Sequence, residues 1–461
     1  MNRIRRIAGL AIMASLSMVL GTANGVYAQA AAPAAGQDAA AGKQQYTMPE
    51  YNAEQACGND KVPASQVKCL DDFVSKYPNS YLLKFVYPMY VQAYSQLKGW
   101  PKVIESADKL MALAEKMGPS EIGPNDKYGA LYARAFAFNN LPPAEQTGQA
   151  KGAIAAADAG IKLIPELKKP DALDDKAFDE QKKQAAIYLN GTAAQAASVT
   201  KDYPTAIKYY KAVLELNPDE AITDYNLGRA YLASNPAQTM DGFWFIARAI
   251  TSKNATQQQS TQLKAYLRKL FVNYQQASCD NLVDAQLNEL LQLAGSAAER
   301  PATYKVPSAT DLNDARKDMT IASVITDLKA GGDKGKVVWL SSCGLEFPDV
   351  PGKLMEVTAG ATAADPVILK MAFVTNQAEF DAATTPNMEV KVVGQPEAAK
   401  LDKETTPTPR FTGTLMSYDP DPAFMLHWDK AKVNAEDLPK EKEPAKKPPV
   451  RRPAAKKPGA R

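Results

Sequence analysis

The sequence predicts a multidomain chain: an all-α array of stacked helical hairpins followed by a small antiparallel β barrel or sandwich. Three observations predict it. Small and apolar residues recur 34 residues apart in the middle of the chain, as from Tyr210 to Trp244, Val213 to Ala247 and Leu216 to Ile250. Beyond Arg300 the texture changes to short runs rich in Val, Phe and Tyr, separated by Gly, Pro and Asp. The two ends have a composition unlike either part. At 461 residues, 45% apolar and 23% charged, the chain has room for two or three ordinary globular domains.

The N-terminus reads first as an export signal. Arg3, Arg5 and Arg6 precede an apolar stretch from Ile7 to Leu20, and small residues follow at Ala28 and Ala30. This is the pattern of a secretory signal peptide over residues 1–28, cleaved after one of those alanines, and it predicts a periplasmic or secreted protein. The first cysteine is Cys57, so none stands at the cleavage point to carry a lipid. Residues 29–50 read as a disordered Ala-rich linker. No later segment approaches 18 uninterrupted apolar residues, so no transmembrane segment is expected in the mature chain.

The helical array is expected over 51–298. On the 34-residue register, Ala206, Tyr210, Val213 and Pro218 of one unit are followed by Leu227, Gly228 and Tyr231, then Trp244 and Ala247, of the next. Ala153, Ala157, Gly160 and Pro165 repeat the small-residue offsets, and Tyr94 and Ala107 occupy equivalent slots further upstream. Pro142 and Pro143 suggest a long irregular loop between Phe138 and Lys151. A polar helix over Ala255–Gln276 is expected to cap the array, because a solenoid needs a terminal helix with one soluble face. A further helix is expected over Asn281–Ala294.

These residues resemble the tetratricopeptide (TPR) pattern, in which a small residue admits the paired helix and an aromatic fills the adjoining hole. The resemblance covers residues 65–277 at most, and is best over 185–253. It implies a right-handed superhelix whose concave wall, formed by the first helix of each pair, binds a segment of another protein. Mapped onto this sequence, that wall gives Gln92 and Ser95, then Tyr188 and Gln195, then Tyr225, Asn226 and Arg229. Asn226 fits one position of the family's carboxylate-clamp type, but the lysines that type requires are absent from the matching positions. Tyrosines at helical spacing serve packing as well as binding.

Four cysteines in an exported chain suggest disulfides. Three pairings are possible. Spacing favours Cys57 with Cys69, stapling the N-terminal edge, and Cys279 with Cys343, joining the end of the helical region to the next domain. No C-x-x-C is present and His427 is the sole histidine, so no metal site and no cofactor is expected.

Residues 299–334 read as a connector with one short helix, and 335–435 as the β domain. The expected strands are VVWL, KLMEVT, VILKMAFV, MEVKVVG, RFTGTLMSYDP and FMLHWDKAKV. The last three resemble the later strands of an OB-type barrel, with Gly394 and Gly413 allowing tight bends. That resemblance implies oligonucleotide or oligosaccharide binding, with Phe411, Tyr418, Phe424 and Trp428 as either a stacking platform or core. Asp419–Pro422 reads as a turn between strands. Residues 436–461 form a basic tail rich in Pro, Ala and Lys, with little to bury and hence disordered. From Lys440 onward it holds nine Lys or Arg against Glu441 and Glu443, a net +7, and three arginines lie in the signal. The formal total is +3, so residues 7–439 carry about −7. Such a tail either solvates the chain or attaches it to an anionic envelope surface. Nucleic acid is the least expected partner for an exported protein.

Catalytic patterns are missing. AGGDKGKV imitates a phosphate loop, but Ala330 replaces its first glycine and Val337 its Ser or Thr, so it reads as a flexible turn. No G-x-S-x-G is present, and one histidine excludes H-E-x-x-H. The expected function is a non-enzymatic exported scaffold that binds a protein partner; the alternative is a module for envelope polysaccharide, using the β domain and the tail.

Overall fold

A computed structural model of the chain describes residues 45–439, except 119, 278, 363 and 421. The expected signal peptide and the tail from residue 440 lie outside the described residues. Five helical hairpins come first: α1 (Met48–Asn59) with α2 (Pro63–Lys76), α3 (Leu83–Gln96) with α4 (Trp100–Met117), α5 (Pro124–Asn140) with α6 (Pro143–Leu163), α7 (Asp175–Val199) with α8 (Tyr203–Leu216), and α9 (Ala221–Ala233) with α10 (Thr239–Thr251). Then come α11 (Gln257–Gln275) and α12 (Asp280–Ala294).

Local chemistry sets the helix starts. Thr47 accepts from the Glu50 amide while the Glu50 carboxylate accepts from the Thr47 amide, a capping box that begins α1 inside the stretch expected as linker. Asp174 and Asp202 cap α7 and α8 through the amides of Ala177 and Thr205. Proline occupies the first turn of α2, α4, α5, α6 and α8, where its missing N–H costs nothing and its φ suits the helix. This corrects one expectation: Pro142 and Pro143 do not mark a long loop, because only two residues separate the end of α5 at Asn140 from the start of α6 at Pro143.

The array packs through the small residues. Consecutive helices contact one another from α1 to α10, and the first helices also touch across hairpins, α3 on α5 and α5 on α7. Ala107, Ala153, Ala157, Ala206 and Ala247 are at most 1% exposed. At Gly160 a Cβ would come 2.9 Å from Leu189 Cδ1, so α6 meets α7 at a distance only glycine permits.

The chain divides into two compact units. One runs to Leu267 and resumes over Glu289–Tyr304; the other comprises Arg268–Asn288 and the chain from Lys305. Both thus include parts of α11 and α12. Cys57 is bonded to Cys69 with Cα atoms 5.4 Å apart, and Cys279 to Cys343 at 5.9 Å, both cysteines of the second bridge lying in the second unit.

In the second unit α13 (Ala309–Lys317), α14 (Ile321–Ala330) and α15 (Gly332–Ser342) replace the expected connector with one short helix. VVWL lies in α15 and is no strand, and AGGDKGKV is no free turn: Gly331 and Gly332, at φ +66° and +63°, end α14 and start α15. Five strands come next, β1 (Glu346–Thr358), β2 (Val367–Phe373), β3 (Met388–Val392), β4 (Arg410–Asp419) and β5 (Met425–Val433), with a short helix α16 (Gln377–Ala382) between β2 and β3. They close into a barrel in the order β1-β2-β3-β5-β4. Four seams are antiparallel, but β3 and β5 run parallel, which corrects the expectation of an antiparallel module. Parity is the reason: strand direction cannot alternate around a closed ring of five. Leu354, Leu369, Met371, Val390, Phe411, Leu415 and Trp428 fill the barrel, and Ile321, Val324, Leu328 and Val338 from α14 and α15 join the same core. Gly394 has φ +69° and Gly413 stands at a register shift between β4 and β5. Leu438 also packs on this core, and Arg410 pairs with Asp437 at 3.2 Å, so the expected boundary at 435/436 falls within these contacts.

Candidate functional site

All seven wall residues expected from sequence stand on first helices: Gln92 and Ser95 on α3, Tyr188 and Gln195 on α7, and Tyr225, Asn226 and Arg229 on α9. They differ in what they are free to do. Ser95 donates to the Val91 carbonyl at 2.6 Å, one turn back along its own helix. Tyr188 is held by packing. Its ring lies 5.0 Å from that of Tyr132 and 6.4 Å from that of Phe136, and its phenol oxygen accepts from Asn139 Nδ2 at 3.0 Å. Burial raises the Tyr188 phenol above its ordinary range. Gln92, Gln195 and Asn226 are half-buried, and their side chains make no hydrogen bond among the described residues.

Sequence reasoning passed over α5 between these helices. Tyr128 and Tyr132 sit 5.9 Å apart at i, i+4, and Phe136 meets Trp100 edge-on at 5.6 Å. That aromatic spacing was visible, but it lay outside the best-matched repeats.

On α9 the structure gathers a compact cluster. Residues 222, 225, 226 and 229 share one helical face. The Arg229 guanidinium carbon is 5.6 Å from the Tyr225 ring centroid, and Tyr225 meets Tyr266 of α11 edge-to-face at 6.3 Å and 73°. Tyr266 was not anticipated, because the capping helix was read only as a polar surface. Arg229 is exposed, and Ile222 and Tyr266 are 41% and 37% exposed, which makes this an open apolar corner with a cation beside it. Burial raises the Tyr266 phenol, Tyr225 adds to the shift, and Arg229 opposes it.

A buried ion pair holds α9 behind that corner. Arg248 of α10 donates through Nε to Asp224 Oδ1 at 3.1 Å, and through its other nitrogens to the carbonyls of Pro218 and Ala298 at 2.7 and 2.6 Å. Asp224 is 1% exposed. Its carboxyl is pushed up to about 7 by burial, against the pull of Arg248. One guanidinium thus ties three chain segments.

The barrel presents a different surface. Phe411, Phe424 and Trp428 are buried and belong to its core, while Tyr418 packs edge-on against Trp339 at 4.9 Å. The half-buried His427 ring bridges Glu389 on β3, at 3.2 Å, and Asp419 on β4, at 2.9 Å. Cys343 is bonded to Cys279 and offers no thiol to pair with that histidine. Among the described residues, no group of three or more His, Cys, Asp or Glu could hold a metal ion, and no helix is long and apolar enough to cross a membrane. No protein-family model matches the chain, and no curated protein matches it.

Proposed function

We propose that the chain is a non-enzymatic scaffold of TPR type, exported to an oxidising compartment, that binds an extended segment of a partner protein along the wall of its first helices. The observation that carries this reading is the row of unused hydrogen-bonding side chains. Gln92, Gln195, Asn226 and Arg229, on three first helices, have no hydrogen-bond partner among the described residues, whereas Arg248 engages all three of its guanidinium nitrogens. Their polar ends remain open to water or to the hydrogen-bonding groups of a ligand. Amide side chains spaced along a wall suit the alternating donors and acceptors of an extended peptide. The two disulfides fit an oxidising compartment.

The strand order β1-β2-β3-β5-β4 supports the OB-type resemblance of the barrel. The envelope-polysaccharide reading has less support, since three of the four aromatics it would use for stacking are in the core.

Photo-crosslinking in cells tests the scaffold reading. A photoreactive residue replacing Gln92, Gln195 or Asn226 should give one discrete adduct, and the same residue replacing Lys208, exposed on the second helix α8, should not. Equal labelling from Lys208, or no adduct from any wall position, would sink it.

A further inference from the structure

Arg229 differs from the other described arginines. Each of those six has an oxygen partner, as Arg134 has Asp108, Arg268 has Asp284 and Arg410 has Asp437. Arg229 has none among the described residues, and its guanidinium rests instead on the Tyr225 ring face. A guanidinium held over an aromatic ring keeps N–H groups available for a carboxylate, which its planar fork can meet with two parallel hydrogen bonds. Around it stand uncharged groups: Tyr225 and Asn226 on the same helix, Tyr266 across from them, and Ile222 further back along α9 on the same face. An open apolar surface with one unpaired cation at its edge is complementary to a carboxylate that has an apolar neighbour.

We propose that this corner of α9 and α11 takes one acidic residue flanked by a large apolar residue from an extended protein segment. The carboxylate pairs with the Arg229 guanidinium edge, and the apolar side chain lies against Ile222 and the edges of Tyr225 and Tyr266. Asn226, one position from Tyr225, is placed to bond the segment's main chain. The inference rests on the proposed groove and specifies its ligand: the recognition is of an internal acidic–apolar pair, with one cation and an aromatic wall.

The test pans the full-length, disulfide-bonded protein against displayed random linear peptides, and repeats the panning with Arg229→Glu. Wild type should enrich Asp or Glu beside Phe, Leu, Ile or Trp, and Arg229→Glu should enrich Lys or Arg at the same position. A peptide selected on the wild type should bind Arg229→Glu and Tyr225→Ala roughly tenfold or more weakly. Arg229→Gln, which removes the charge without reversing it, should fall between. Melting temperatures of the two Arg229 variants, Arg229 being exposed, should stay close to wild type. Peptides that lack an acidic residue, or that bind Arg229→Glu as well as wild type, overturn this subsite; if their binding is nonetheless lost on Gln195→Ala and Asn226→Ala, the groove reading stands without it. Failure to enrich any peptide overturns both.

Discussion

Gly228 and Gly242 face each other where α9 crosses α10, so closely that a Cβ added at Gly228 would come 2.8 Å from the Gly242 carbonyl oxygen and 2.7 Å from Ile246 Cγ1. One obstacle is backbone and cannot swing aside. Gly228→Ala should therefore lower stability by about 1–3 kcal/mol, the range for overpacking, despite alanine's better helix propensity. Gly129 on α5 has nothing within 4 Å of its Cβ position, so Gly129→Ala should raise stability by up to about 1 kcal/mol. Denaturant melts of the two variants check the opposite signs; two shifts in the same direction would refute the crossing argument.

The buried Asp224 predicts how stability changes with pH. Its carboxyl titrates at about 7 in the folded chain, against roughly 3.9 when unfolded. Between those values the folded state holds a proton that the unfolded state has released, so this group's contribution is greatest on the acid side and is lost as pH rises through about 7. The effect is on the order of a few kcal/mol at most. Asp224→Asn keeps an oxygen for Arg248 and removes the titration. Urea melts at about pH 5 and about pH 8 should show a smaller difference for the variant than for the wild type. Parallel changes in the two proteins would exclude Asp224 as the source.

Thiol chemistry tests the bridges. Denatured but unreduced protein should show no reactive thiol, since all four cysteines are paired. A chain cut after residue 298 loses Cys343 and should show a single thiol, at Cys279. Two thiols in the uncut protein would contradict the pairing.

The hairpin array was legible because its signal is periodic. Tyr210 and Trp244, like Val213 and Ala247, are buried and stand 34 residues apart, and that packing constraint survives in the sequence as the repeat spacing. The five strands were legible from alternation, with inward Leu369, Met371 and Val390 separated by outward Lys370 and Lys391. VVWL was misread for a physical reason. Four apolar residues cannot distinguish a strand from one buried turn of helix, and the deciding feature, the left-handed glycine pair at 331 and 332, is a backbone property. The parallel seam between β3 and β5 depends on closure of the whole ring, which no local pattern encodes. In the candidate site Tyr225 and Arg229 came from mapping the concave wall of the TPR resemblance onto the sequence. Tyr266 was missed because it reaches them from 37 to 41 residues further along the chain, on a different helix.

The strap over Glu289–Tyr304 returns to the first unit after the chain has entered the second. It supplies Ala298 to Arg248, Arg300 to Asp241 at 2.9 Å, and the Tyr304 ring, tilted, 6.4 Å from that of Trp244. A nascent chain therefore cannot finish its first unit by emerging as far as α10. The last hairpin waits, with an incompletely tied arginine and an uncovered tryptophan, until residue 304 is available, and Cys279 waits longer still for Cys343. During that interval Arg248 lacks its Ala298 carbonyl, Asp241 its arginine and Trp244 its neighbouring ring, so the order of synthesis leaves the last hairpin as the latest part of the first unit to be completed.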